Sequence, residues 1–456
     1  NSLKKVIEPF DAILYVTEEN DVSEIQFLNS ICLEAKKKFV PAICSNKIGM
    51  AGPIVNSKTD GCFESAWRSI HETLFENNDK FQPFSSIAAA MLANIIVFEL
   101  FKDLTVSSDN EKNQQFYLIN QETLEGNWHT FMPHPLVTGS AKAELVQDFE
   151  LKLQPNSNKD DQSKLLHYFS ELTSEESGIF HIWDEGNLKQ LPLAQCLIQV
   201  VDPLSTGPAK LLPSRICTAL THEEARREAA LTGIENYTSQ LTSRLVEKLS
   251  ETSGMDSLIN SNEFIGVGTG GTFAECVLRG LKKCLSEELN LLYKNQANPV
   301  SEVNLISIED ERSQFYLQAL TTMNGEVKIA IGEEVLGFPV VWVCSNNKWY
   351  RSIGFNTALA FREALQQALS EAQNPTADIS SQAFDYSSIL IEKKNPIDLS
   401  IPTCSGMEDS NLLNKSIDQL KQNNKLLLTI ELILEPFKVE VLEGVYGVML
   451  REVQSS

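Results

Sequence analysis

The chain has 456 residues, 42% of them hydrophobic, and 61 acidic against 38 basic residues give it a formal charge of −23. That length accommodates two or more ordinary domains with real cores. The acidic balance repels a phosphate backbone and sets nucleic acid aside as a partner, and the lack of any run of 18 apolar residues sets aside a membrane span.

The run FDAILYV at 10–16 reads as a buried strand, and 22–37 carries Ile25, Leu28, Ile31, Cys32 and Ala35 at helical spacing. A second strand follows at 39–45, so this stretch predicts a parallel strand–helix–strand unit. A glycine- and proline-rich loop occupies 49–53, and helices are expected at 62–76 and 84–104, the latter opened by Ser85 and Ser86. Short strands are expected at 115–120 and 130–133. The polar, aperiodic QPNSNKDDQS segment marks a linker at 154–162 between a first domain, 1–153, and a larger one, 163–456. The larger domain reads as strands at 178–183, 194–201, 263–267, 303–308, 327–331, 340–344, 426–434 and 438–441. Its helices fall at 165–172, 221–250, 272–292, 313–323 and 357–373. Elements mix without strict alternation, so the fold class is α/β for the first domain and α+β or complex α/β for the second.

The chain does not begin with methionine and runs early into a strand, which suggests that upstream sequence precedes it. The N-terminus carries no secretory signal. Nine scattered cysteines without a C-x-x-C pair fit reduced thiols in the cytoplasm. The GVGTGG stretch at 266–271 matches G-x-G-x-x-G, but the acids Glu287 and Glu288 lie within the following helix rather than beyond a second strand. A tight glycine turn seating that helix is preferred to a dinucleotide loop. His129 and His134, and the lone Cys62, lack the companions that a metal site needs. Glu224, Glu228 and Glu235 share one face of the helix at 221–250, where carboxylates could hold magnesium. Interspersed Arg226, Arg227 and Arg244 favour instead a solvated helix with local ion pairs.

Two families are resembled in succession. Residues 1–150, through FDAILYVTEENDVSEIQFLN, the MAGPIV loop, DGCFESAWRS and SIAAAMLANIIVFELFKDLT, resemble the C-terminal part of a ThiF/MoeB-like domain with its parallel sheet. The glycine-rich nucleotide turn and both C-x-x-C zinc pairs of that family are not matched here. From 163 to 456, the segments LTHEEARREAALTGIENYTSQ, FIGVGTGGTFAECVLRGLKKCLSEEL and SIGFNTALAFREALQQALSEAQ resemble, in order, three helices around the Mg-ATP site of YcaO domains. The resemblance implies acids at defined positions of those helices. Where the first helix should carry two acids three apart and then Arg stand Thr232, Glu235 and Asn236; where the second should carry acid, two apolar residues, acid and Arg stand Lys283, Ser286 and Glu287; the third should place a carboxylate near Gln367, and Glu228 belongs to the same degenerate site. Most of the hard oxygen charge that magnesium needs is thereby replaced. The family's proline-rich C-terminus is also unmatched.

The combination resembles the ThiF-like maturation proteins of thiazole/oxazole-modified bacteriocins. That resemblance implies a non-catalytic scaffold without cofactor, which presents a precursor peptide to a partner YcaO cyclodehydratase, with a homodimer as one possible assembly. An active Mg-ATP-dependent cyclodehydratase using Glu228, Glu235, Glu287 and Glu288, and a ThiF-type adenylating enzyme, are the alternatives. Trp349 and Tyr350, in the VVWVCSNNKWY hairpin, are candidates for an apolar partner surface.

Overall fold

Ala12–Thr17 and Lys38–Cys44 pair in parallel, with Ala12 opposite Lys38. The helix Val22–Glu34 connects them and buries Ile25, Leu28, Ile31 and Cys32, as the 3.6-residue period demands. In the computed structural model, which describes residues 2–17, 22–45, 47–56, 62–75, 85–105, 114–153, 162–253, 263–294, 298–375, 383–392, 395–404 and 406–453, the sheet then departs from a parallel one. Ile48–Ala51, Gln115–Asn120 and Gly126–Thr130 are added in that order, each antiparallel to the last. Short reversals such as 121–125 can join only antiparallel neighbours. The strand expected at 130–133 is the end of Gly126–Thr130. The helix Ser86–Thr105 covers the opposite face, seating Leu92 and Ile96 on Val40, Ala42 and Cys44.

Lys142–Leu145, which the sequence groups with the first unit, pairs antiparallel with Lys425–Ile433 near the end of the chain, Leu145 opposite Ile430. The four-stranded sheet so completed runs Gly266–Gly270, Gly444–Glu452, Lys425–Ile433, Lys142–Leu145. Backbone bonds stitch the seam further: Ala209 N–H donates to Ile70 O at 2.7 Å, and Glu72 N–H returns to Ala209 O at 2.9 Å. Most of the expected linker lies at 154–161, outside the described residues.

A second sheet joins Phe384–Asp385, Lys348–Ile353, Val340–Ser345, Lys328–Ile331 and Asn298–Ile308, with Ile389–Ile391 and Ile397–Ile401 both parallel to the last. A third holds Phe180–Asp184, Ala194–Val200 and Arg215–Ala219. Three helices link these sheets: the long helix His222–Ser253, the middle helix Phe273–Tyr293 and the third helix Thr357–Gln373. The mixed α+β reading of the larger unit holds. The strand expected at 438–441 does not form; the closing strand is Gly444–Glu452.

The glycine stretch is itself a strand rather than a turn. Gly266–Gly270 pairs along its length with Gly444–Glu452, so its backbone is committed to a sheet and offers no loop to a pyrophosphate. Its glycines serve close packing instead. A Cβ on Gly268 would stand 2.0 Å from the Cys276 carbonyl oxygen, and one on Gly266 2.1 Å from that of Gly280. The obstacles are backbone atoms of the middle helix, which no rotamer change moves. Gly268→Ala is therefore expected to lose about 2–3 kcal/mol, read as a lower urea midpoint at unchanged m-value.

Candidate functional site

The long and middle helices meet over Glu235, whose side chain is 2% exposed. A carboxylate so buried needs compensation. Arg279 donates to it through Nε at 2.5 Å and Nη2 at 3.3 Å, Lys283 Nζ at 2.7 Å, and the Thr269 backbone N–H at 3.2 Å. Arg279 Nη1 also reaches Glu228 at 2.6 Å, and Lys283 Nζ the Val267 carbonyl at 2.7 Å. Arg227 extends the series, 2.8 Å from Glu275 and 3.5 Å from Glu228. Negative and positive groups alternate along this row, and the three carboxylates are matched by three cations.

The geometry comes from helical spacing. Glu228 and Glu235 lie two turns apart on the long helix, and Arg279 and Lys283 lie one turn apart on the middle helix, so each pair faces the other. Burial alone would raise the Glu235 pKa; the charges of Arg279 and Lys283 and their hydrogen bonds outweigh it and hold the carboxyl below its ordinary value. Burial draws Lys283 below its usual range despite Glu235, whereas the two carboxylates overcome burial to hold Arg279 well above its own.

The remaining predicted positions divide. Thr232 accepts a bond from the Cys217 thiol at 3.7 Å, and the Asn236 carbonyl accepts from Ser239 at 2.8 Å. Ser286 turns back to the Lys282 carbonyl of its own helix at 2.8 Å. Glu287 and Gln367 are half-buried, and neither enters the charged row. On the third helix the carboxylate facing this region is Glu363, which binds the Lys282 ammonium and accepts from Ser352 at 2.7 Å. Gln366, beside Gln367, holds Thr218. Arg279 and Glu363 were missed in the sequence; the i,i+4 repeat of Arg279 and Lys283 opposite acids was the signal. The long helix is not the solvated one expected, for Ala225, Ala229, Leu231 and Ile234 are fully buried beside these acids.

Trp349 and Tyr350 are core residues, 0% and 6% exposed, and form no partner surface. Their strand is covered on both sides. Trp349 packs in the cluster of the middle helix and Tyr350 in that of the third. The hairpin itself is as read, with Asn346 and Asn347 supplying its two positive φ values, 50° and 60°.

A cavity of about 490 Å³ adjoins the charged row, lined by Cys217, Glu224, Arg227, Arg312, Arg362 and Gln366 among others. Its arginines are engaged: Arg312 with Glu224 at 2.8 Å, Arg362 with Asp310, and Arg227 with Glu275. A second cavity, about 530 Å³, lies at the seam between the units, with His129, His134, Phe131 and Tyr237 in its wall. Burial pushes His134 down to about 4 and also lowers His129, so both imidazoles line it neutral at pH 7.

Magnesium with nucleotide phosphates would require uncommitted carboxylate oxygen at the row. Glu228 and Glu235 are instead neutralised by fixed cations at salt-bridge distance, and among the described residues no group of three or more Asp, Glu, His or Cys is placed to hold a metal. The residues present do not fit Mg-ATP.

No protein-family model matches the chain, and no curated protein matches it in sequence. Solved structures do match. A heterocyclase in complex with substrate and cofactor superposes at a TM-score of 0.60 over 99% of this chain and 80% of its own, with 11% identity. The chain has the heterocyclase fold. The heterocyclase TruD agrees, at a TM-score of 0.54 over 96% of this chain and 73% of its own, again with 11% identity. YcaO from Methanopyrus kandleri bound with AMPPCP and Mg2+ matches over 57% of this chain and 83% of its own at 14% identity and a TM-score of 0.37, too low to carry an argument. The same holds for E. coli MccB, at a TM-score of 0.22 over 29% of this chain, so the ThiF-like reading of the first unit stays with the sequence. No helix among the described residues is long and apolar enough to cross a membrane.

Glu235→Gln leaves Lys283 without its carboxylate and Arg279 with Glu228 alone, and is expected to cost about 3–5 kcal/mol. Because the folded-state pKa of Glu235 is depressed, its contribution is present above the ordinary glutamate value and is lost as pH falls through the lowered one. Urea midpoints from about neutral pH to about pH 3 should fall less steeply in this variant than in the parent.

Proposed function

We propose that this chain is a non-catalytic scaffold in the maturation of azoline-containing peptides, presenting a precursor peptide to a partner YcaO cyclodehydratase in the cytoplasm. The observation that carries the reading is Lys283. Its ammonium sits on the carboxylate of Glu235, so the row that would have to gather cations is already neutral. A divalent ion entering there meets Lys283 and Arg279 as well as the acids, and the low-dielectric surroundings strengthen that repulsion. The heterocyclase fold supports placement beside azoline formation; the self-neutralised row supports a role other than the ATP-driven step. The acidic surface also suits a basic peptide segment.

Titration calorimetry tests this. The purified chain is expected to give no heat with Mg-ATP and a clear isotherm with a YcaO cyclodehydratase from the same biosynthetic cluster. Micromolar Mg-ATP binding would overturn the reading in favour of an active cyclodehydratase, and ATP-dependent AMP release would favour the adenylating enzyme. The double variant Lys283→Glu with Ser286→Glu is expected to remain without turnover, because Thr232 and Gln367 still lack carboxylates.

A further inference from the structure

The strand Asn298–Ile308 is paired unequally on its two sides. On one side Ile397–Ile401 follows it from Val303 to Ile308. On the other, the ladder with Lys328–Ile331 holds only Ser301 opposite Ile331 and Glu302 opposite Ala330. Lys328–Ile331 itself stays with Val340–Ser345 down to Lys328. The sheet therefore forks after Glu302, and no strand among the described residues runs between its two arms.

The fork exposes backbone as well as side chains. Glu392 N–H donates to Val300 O, so Val300, Glu302 and Asn304 turn their peptide groups to the parallel side, and Val303 and Leu305 turn theirs to the fork. Gly332 N–H donates to Val340 O, so Ala330 and Lys328 point that way, and Ile331 and Ile329 point to the fork. Past Glu302 the ladder stops, and the N–H groups of Leu305 and Ile329 have no backbone partner among the described residues. That is the condition in which an edge accepts a further strand. The two faces of the fork differ. Val303, Leu305, Leu317, Val327 and Ile329 belong to one apolar cluster on its inner face. The strand period puts Glu302 and Lys328 on the outer face, where Glu326 and Asp398 join them around a groove of about 630 Å³. Lys328, the only cation lining it among the described residues, lies 3.4 Å from the Tyr386 hydroxyl. Three carboxylates thus stand against one ammonium.

We infer that the fork is a docking slot for an extended segment of a partner protein whose residues alternate between apolar and basic. An added strand satisfies the free peptide groups of Leu305 and Ile329. Its inward side chains extend the apolar cluster over Leu317, and its outward ones meet Glu302, Glu326 and Asp398. An acidic segment is repelled at the outer face, and a uniformly apolar one leaves those carboxylates unmatched. A helix bonds its own backbone internally and leaves both arms of the fork unpaired. The inference is independent of the proposed scaffold role, whose charged row lies on other elements.

Fluorescence anisotropy of the full chain with a labelled synthetic peptide of alternating valine and lysine tests it. Saturable binding is expected, weakening with added salt, together with slowed hydrogen exchange at the amides of Leu305 and Ile329. Glu302→Lys with Glu326→Lys should weaken binding by about tenfold or more at an unchanged circular-dichroism melt. Glu122→Lys with Glu125→Lys, the same charge change in the exposed reversal 121–125, should not. Methylating the backbone nitrogens of alternate peptide residues keeps its charge and side chains and removes its donors, and should also cost about tenfold. No binding, or binding indifferent to that methylation or to the fork variants, overturns the inference, since it leaves only adsorption to an acidic surface. Protection of Leu305 and Ile329 that rises with protein concentration in the absence of peptide also overturns it, because a second copy then fills the fork. None of these results bears on the Mg-ATP titration.

Discussion

A carboxylate withdrawn from water must be met by charge or it will be expelled, and Glu235 is the point from which the larger unit is organised. Its two oxygens fix the middle helix through Arg279 and Lys283, and its contact with Thr269 N–H ties the glycine strand to the long helix. Helix register, helix–helix distance and strand position are therefore coupled through one side chain. The close backbone contact at Gly266 and Gly268 belongs to the same constraint, since only a strand without side chains on that face lets the middle helix approach near enough for its cations to reach across.

The row is internally paired, each of its three carboxylates within salt-bridge distance of a cation. In a site that works by gathering cations, acids must remain short of partners until the ligand arrives, which stores unfavourable energy in the empty protein. Here the acids are paired with fixed cations in advance. The cavity beside the row follows the same logic: Arg227, Arg312 and Arg362 each hold a carboxylate, and a phosphate would have to break those pairs to bind.

Much of this was legible in the sequence, and the failures have physical causes. Helical periodicity placed the long, middle and third helices, and the departure at Lys283 could be read because a charge reversal is visible without coordinates. Arg279 was not singled out, since its importance depends on which face of one helix meets which face of another. Trp349 and Tyr350 were misread because a strand buried on both sides reads as a run of large apolar residues, and so does a sticky surface. The GVGTGG stretch was read as a turn because glycine signals freedom of the backbone as strongly as it signals the need for close approach. The partner of Lys142–Leu145 was not legible at all: strand pairing between segments so far apart leaves no local mark.

That pairing bears on how the protein is made. The two inner strands of the four-stranded sheet, Lys425–Ile433 and Gly444–Glu452, are made long after the outer strands Lys142–Leu145 and Gly266–Gly270 with which they pair. At about 5–20 residues per second, the outer strands wait roughly ten seconds to a minute for their partners to be synthesised. The first unit can close its own sheet in that interval, but the four-stranded sheet cannot form until both inner strands have been made. The nascent chain thus carries exposed strand edges over that interval, and folding of this sheet in the cell is timed by its late inner strands.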